Sequence, residues 1–358
     1  MTATTPATRP VPGAPAGGGP RRAVAPAPVA APAPRRGRWV LVAAAWLLPA
    51  LAVVSLFVGV ADVRPVDLLR LDPDAWGLVA VSRGPRTAAL LLAGASTAVV
   101  GTIMQMLARN RFAEPSTTGT VEFALLGLLV VTIAAPALPV AAKIVAATAF
   151  ALAGTALFLA VLRRVPLRSP LVVPLVGIVL GGVVSAVATF IAYRTDLLQA
   201  LGAWSTGDFS GVLAGRYETL WVAGALAVVA YVAADRFTVA GLGEAFTTNL
   251  GLDHRRTMVL GLVLVSVVSA VVVVTVGVVP FLGLVVPNVV SLLRGDDVRR
   301  TLPWVATLGA ALVLACDLLG RLVRYPYEVP VGVVVGVVGS VLFLWLLLRR
   351  DTGAGRVG

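Results

Sequence analysis

Apolar runs of about 20 residues, long enough to cross a bilayer core of about 30 Å as a helix, recur through this sequence from Trp39 almost to its C-terminal end. Backbone at that depth finds no water to bond, so such runs have to become helices packed together in lipid. Ten fit, at approximately 39–61, 86–107, 119–135, 139–162, 171–193, 218–234, 257–279, 281–293, 302–320 and 329–348. Composition agrees: mean hydropathy is +0.95, and 13% of the 358 residues are charged where a soluble domain carries about 25%. The fold class read from this is all-α, a polytopic membrane protein of about ten transmembrane helices. The eighth run is short and punctuated by Pro280, Gly283 and Pro287, which predicts a half-helix or kinked segment buried inside the bundle.

Residues 1–38 are almost wholly Ala, Pro, Gly, Thr, Val and Arg without an acidic residue, a composition that cannot form a packed core and predicts a disordered cytoplasmic tail. The transmembrane domain is expected over 39–350, and 351–358 as a second cytoplasmic tail. With the first tail inside, the connections 108–118, 163–170, 235–256 and 294–301 are also inside. Most of the 29 Lys and Arg residues fall in these segments, as the positive-inside rule requires, with both termini cytoplasmic. That asymmetry accounts for the formal charge of +12 without nucleic acid. Arg83, Arg86, Arg321 and Arg324 lie on the opposite face and oppose the trend, which marks them for a specific contact.

A single cysteine, Cys316, and a single histidine, His254, exclude a disulfide framework, a multi-Cys metal site and a His cluster. Lys143 is the only lysine and lies in no GxxxxGK[ST] loop, so any ATP-driven work has to come from another subunit. Within the spans only Glu122, Lys143 and Asp317 ionise, none at a clear midplane, which disfavours ion coupling in this chain. The connection Asp235–Arg256 is punctuated by glycine and places Leu242, Phe246 and Leu250 on one stripe, predicting a short amphipathic helix. Such a helix either lies on lipid or its own bundle, or inserts into a groove of a partner. His254 reads as a solvated loop residue.

In order along the chain stand SRGPR (82–86), ARNRFAEPSTTGT (108–120), GLGEAFTTNLGLDHRR (241–256), VGVVPFLGLVVPNVVSLLRGDD (276–297) and CDLLGRLVRYPYEVPVG (316–332). This ordered set, spread over about residues 39–350, resembles the FecCD/BtuC family, permease subunits of type II ABC importers for ferric siderophores, haem and cobalamin. Two departures, Arg111 after Asn110 and Asn288 after Pro287, together with RYPYEVP and STGDFSGVLAGRYE (205–218), look like the branch handling petrobactin, anguibactin and vibriobactin-type ferric catecholates. The resemblance implies that Arg83, Arg86 and Arg321 meet acidic residues on the lobes of an extracytoplasmic binding protein; the alternative pairs them internally with Asp74 or Glu328. It implies that Gly241, Leu242, Gly243, Glu244, Phe246, Leu250 and Gly251 belong to coupling helices seated in a groove of the ATPase. Arg109, Asn110, Pro115, Gly283, Pro287, Asn288, Glu328 and Pro330 are then family-motif or structural positions. The partners implied are a second permease, identical or paralogous, two ATP-binding subunits that hold the ATP and Mg, and the siderophore-binding protein in a bacterial plasma membrane. No catalytic residue, metal or cofactor is expected in this chain. A stand-alone secondary carrier or channel is the alternative from another class.

Overall fold

The computed structural model describes residues 35–59, 64–165 and 172–354, all within one compact unit that runs from Pro34. Among them it contains no strand. The helices are α1 (Arg35–Phe57), α2 (Pro65–Leu69), α3 (Pro73–Leu78), α4 (Gly84–Leu107), α5 (Thr120–Ala134), α6 (Val140–Leu162), α7 (Val172–Arg194), α8 (Leu198–Trp204), α9 (Leu220–Val232), α10 (Ala234–Leu242), α11 (Glu244–Asn249), α12 (His254–Val276), α13 (Leu282–Arg294), α14 (Val298–Val323) and α15 (Val331–Ala354). Six continuous helical stretches are long and apolar enough to cross a membrane, and α9 with α10 forms a further pair bent by 62°. The stretch Trp46–Phe57 of α1, together with α5 and α13, forms shorter apolar helices. Each expected span thus coincides with a helix, although the long α1 begins at Arg35, four residues inside the stretch read as tail. Residues 1–34 and 355–358 lie outside the described residues.

α4, α12 and α14 form the centre, and α7 and α15 the periphery. In the stretch ending with α4, 72% of the apolar window is buried, against 28% in α7 and in α15. Small residues make the central contacts. A Cβ on Gly101 of α4 would lie 2.2 Å from the carbonyl oxygen of Gly283 in α13, and one on Gly94 would lie 2.8 Å from that of Gly309 in α14. Both crossings are therefore backbone against backbone, which only glycine permits.

Two prolines open carbonyls that other elements then occupy. Pro85 has no N–H, so the chain passes from α3 into α4 through a π-turn at Val79–Arg83, where Gly84 N–H bonds Val79 O. The carbonyl of Val81, four residues before Pro85, accepts instead from Ala214 N at 2.9 Å and ties the 205–219 connection to the outer end of α4. The second span is accordingly longer than expected, a helical stretch running from Pro73 to Leu107. In α13, Pro287 likewise frees Gly283 O, and Gln105 Nε2 of α4 points at that oxygen from 3.5 Å. The predicted interrupted eighth span is thus a short 13-residue helix with Pro287 inside it, its backbone defect met by a neighbouring side chain.

Candidate functional site

At the outer ends of α4 and α14 the three arginines expected to face a binding protein are turned inward. Arg83 and Arg321 are each 6% exposed. Arg83 Nη1 donates to Leu56 O at 2.7 Å, while Arg321 Nη1 donates to Ser55 O at 3.2 Å and Val58 O at 2.8 Å. These carbonyls belong to the last turn of α1, where a helix leaves acceptors unpaired and the dipole favours a cation. Arg86 binds Asp317 Oδ1 through Nε and Nη2 at 3.2 and 2.7 Å, and Glu328 Oε2 through Nη1 at 2.7 Å. Arg321 also pairs with Asp317, one turn earlier on the same helix. Two guanidinium groups and two carboxylates thus form a neutral quartet around a fully buried Asp317. Neutrality is what makes charges tolerable at such a depth. In this structure Arg83, Arg86 and Arg321 are thus held by internal partners, with Asp317 in the place expected of Asp74 and with Glu328 as the internal alternative had it.

At the other end, the 108–118 connection folds beneath α13. Arg109 takes a left-handed conformation, φ 48°, and Asn110 Oδ1 accepts from Phe112 N at 2.7 Å to close an Asx turn. Asn288 Nδ2 donates to Arg111 O and Leu284 O, each at 2.7 Å, while Arg111 Nη2 meets Asp296 at 2.6 Å. The two departures from the family pattern, Arg111 and Asn288, are in this way contact partners. Pro115 opens a buried turn. Before it, Glu114 is 2% exposed and its Oε1 accepts from Phe281 N at 3.0 Å and from the Ser116 hydroxyl. It closes the N-terminal end of α13. Burial pushes its carboxyl up to about 7, against the hydrogen bonds that favour the ionised form. Glu114 was missed in the sequence; its signal is an acid directly before Pro115, three residues ahead of a threonine pair.

The segment 235–256 holds two short helices where one was expected. α10 and α11 are separated at Gly243, whose φ of 117° excludes most side chains. A Cβ there would come within 3.4 Å of the Arg109 guanidinium, so Arg109 lies directly over the break. Gly241 packs on Met106, and Gly251 has a φ of 75° with open space around it. Phe237, Ala240 and Thr247 turn inward, and His254 Nδ1 lies 3.3 Å from Thr247 Oγ1, half-buried where solvation was expected. Leu242, Phe246 and Leu250 are 62%, 61% and 64% exposed, and Glu244 is exposed beside them. The apolar stripe is real and no part of the described chain covers it. Pro330 sets the entry to α15, its carbonyl accepting from Val333 N at 3.0 Å.

This architecture has relatives. The profile of the FecCD transport family matches residues 47–349. The chain belongs to the FecCD transport family. It is 46% identical to the petrobactin import system permease protein YclN of Bacillus subtilis, over 86% of this chain and 98% of that one. It is 42% identical to the petrobactin permease FatD of Bacillus anthracis, over 84% and 88%. With the ferric-anguibactin transport system permease FatD of Vibrio anguillarum the identity is 41% over 84% and 95%. A solved structure described as an inward-facing metal-chelate type ABC transporter superposes with a TM-score of 0.73, covering 87% of this chain and 99% of its own at 22% identity. The all-α permease fold read from the sequence is thereby shown.

Proposed function

We propose that this chain is the membrane-spanning permease subunit of an ATP-driven importer that carries a ferric siderophore, of the petrobactin and anguibactin (catecholate) type, into the cytoplasm. The observation that supports it most directly is near-end-to-end similarity to three permeases whose names specify that cargo. The chain works with a second permease, two ATP-binding subunits that supply ATP and Mg, and an external binding protein, and contributes no catalytic residue itself. Leu242, Phe246 and Leu250 are the ATPase contact: three exposed apolar side chains on a two-helix platform stabilise a complex by leaving water together. The platform is braced by Arg109 over Gly243, so closure of the ATPase is passed to the inner end of α4.

The test is uptake of radiolabelled iron as ferric petrobactin in cells lacking their own siderophore permeases and supplied with the whole importer. Wild type should accumulate iron only when the ATPase is present and active. Phe246→Glu with Leu250→Glu should leave the amount of permease in the membrane unchanged, because both side chains are exposed, and reduce ATPase co-purification and uptake at least tenfold. Uptake that persists without the ATPase would establish a stand-alone carrier instead.

A further inference from the structure

A cavity of about 310 Å³ lies between the start of α5, the C-terminal half of α7 and α8, lined by Glu122, Ser185, Thr189, Leu198, Leu201 and Ser205 among others. Its volume is at the lower end of ligand pockets, about 300–1,000 Å³, which suits one arm of a chelate better than a whole one. Glu122 Oε2 is shielded from solvent and has no hydrogen-bond partner, and no ion pair with it occurs among the described residues. It is held there because α7 presents Gly181, whose missing side chain would meet the carboxyl carbon at 3.2 Å. Two of the three hydroxyls that line it have committed their protons. Thr189 Oγ1 donates to Ser185 O at 2.8 Å, and Ser205 Oγ donates to Leu201 O at 2.8 Å. What these two side chains have left to offer a ligand is oxygen lone pairs.

A carboxyl with an oxygen shielded from water and without a partner is costly to ionise alone. With acceptor oxygens and apolar walls around it, the site rewards a group that brings positive charge and several N–H donors. We infer that this cavity is a recognition point on the cargo path for a protonated amine carried by the ferric chelate, with Glu122 as its counter-charge and Thr189 and Ser205 accepting further N–H bonds. The inference rests on the permease reading above and adds a cargo class to it: chelates with a cationic arm are favoured over those without one.

The experiment compares two probes in cells carrying the complete importer: a ferric catecholate chelate with a free amine, and the same chelate acetylated on that nitrogen. The readout is the ratio of their iron uptakes, which does not depend on how much permease is present. Wild type should prefer the amine form about tenfold or more, the scale of a hydrogen bond to a charged group. Glu122→Gln, close in shape but without charge, should bring the ratio near one by slowing the amine form; Glu122→Asp should restore part of it. Equal wild-type uptake of the two chelates, or an unchanged preference in Glu122→Gln, overturns the site while leaving the siderophore reading intact. Wild type that moves neither chelate overturns both.

Discussion

Arg321 and Arg83 show how a residue's role follows from what it satisfies. Removing Arg321 leaves Asp317, a fully buried carboxylate, with Arg86 alone and frees two carbonyls at the C-terminal end of α1, so the loss falls toward the lower side of the about 3–5 kcal/mol that breaking a buried pair from one side costs. Arg83→Ala removes the bond to Leu56 O along with the other contacts of this buried guanidinium and should cost at least about 1–3 kcal/mol. Thermal unfolding in detergent should show both losses, while binding-protein affinity per folded complex stays within about twofold; a lost affinity at unchanged stability would support docking instead. Glu114 gives a pH-dependent case. Its folded carboxyl titrates near 7 and its unfolded one near the ordinary 4.5, so the folded state binds the extra proton between them. Its contribution is full below the lower value and disappears as pH rises through the upper one, at about 1.4 kcal/mol per unit. Stability of wild type should therefore fall over that window, and Glu114→Gln, which has no proton to lose, should flatten the curve.

At the scale of helices, hydrophobic run length located each long element, because lipid leaves the backbone no other way to satisfy itself, but not its ends, the second span beginning at Pro73 where 86 was expected. What run length could not show is where helices touch. The Gly101 crossing pairs residues far apart in the chain, and nothing local in GTIMQ distinguishes it from the open position of Gly182, around which nothing lies within 4 Å. Gly101→Ala should destabilise by about 1–3 kcal/mol through overpacking. Gly182→Ala should be neutral or stabilising by up to about 1 kcal/mol, since helical glycine is the poorer choice. Thermal unfolding of the pair checks both. The apolar stripe of Leu242, Phe246 and Leu250 was legible as a spacing, although the break at Gly243 divides it between two helices. The inward turn of the arginines was not, since charge alone does not reveal a partner; the readable hint was Asp317, one helical turn before Arg321.

For the whole molecule, the arginine distribution predicts an orientation that labelling can test. Cys316 is 1% exposed and its replacement by Ala gives a background for placing single cysteines. In intact cells a membrane-impermeant maleimide should label Leu71→Cys and spare Asp296→Cys, and the reverse result would invert the topology. The glycine crossings also bear on how such a machine moves. Alternating access requires elements to slide or rotate past one another, and sliding needs side chains that can exchange neighbours. Where α4 meets α13 and α14 at Gly101 and Gly94, the closest approach is peptide on peptide. Those three helices are accordingly expected to move as one body. The stroke has to be taken up by helices that meet their neighbours through side chains, with α7 and α15 the least embedded.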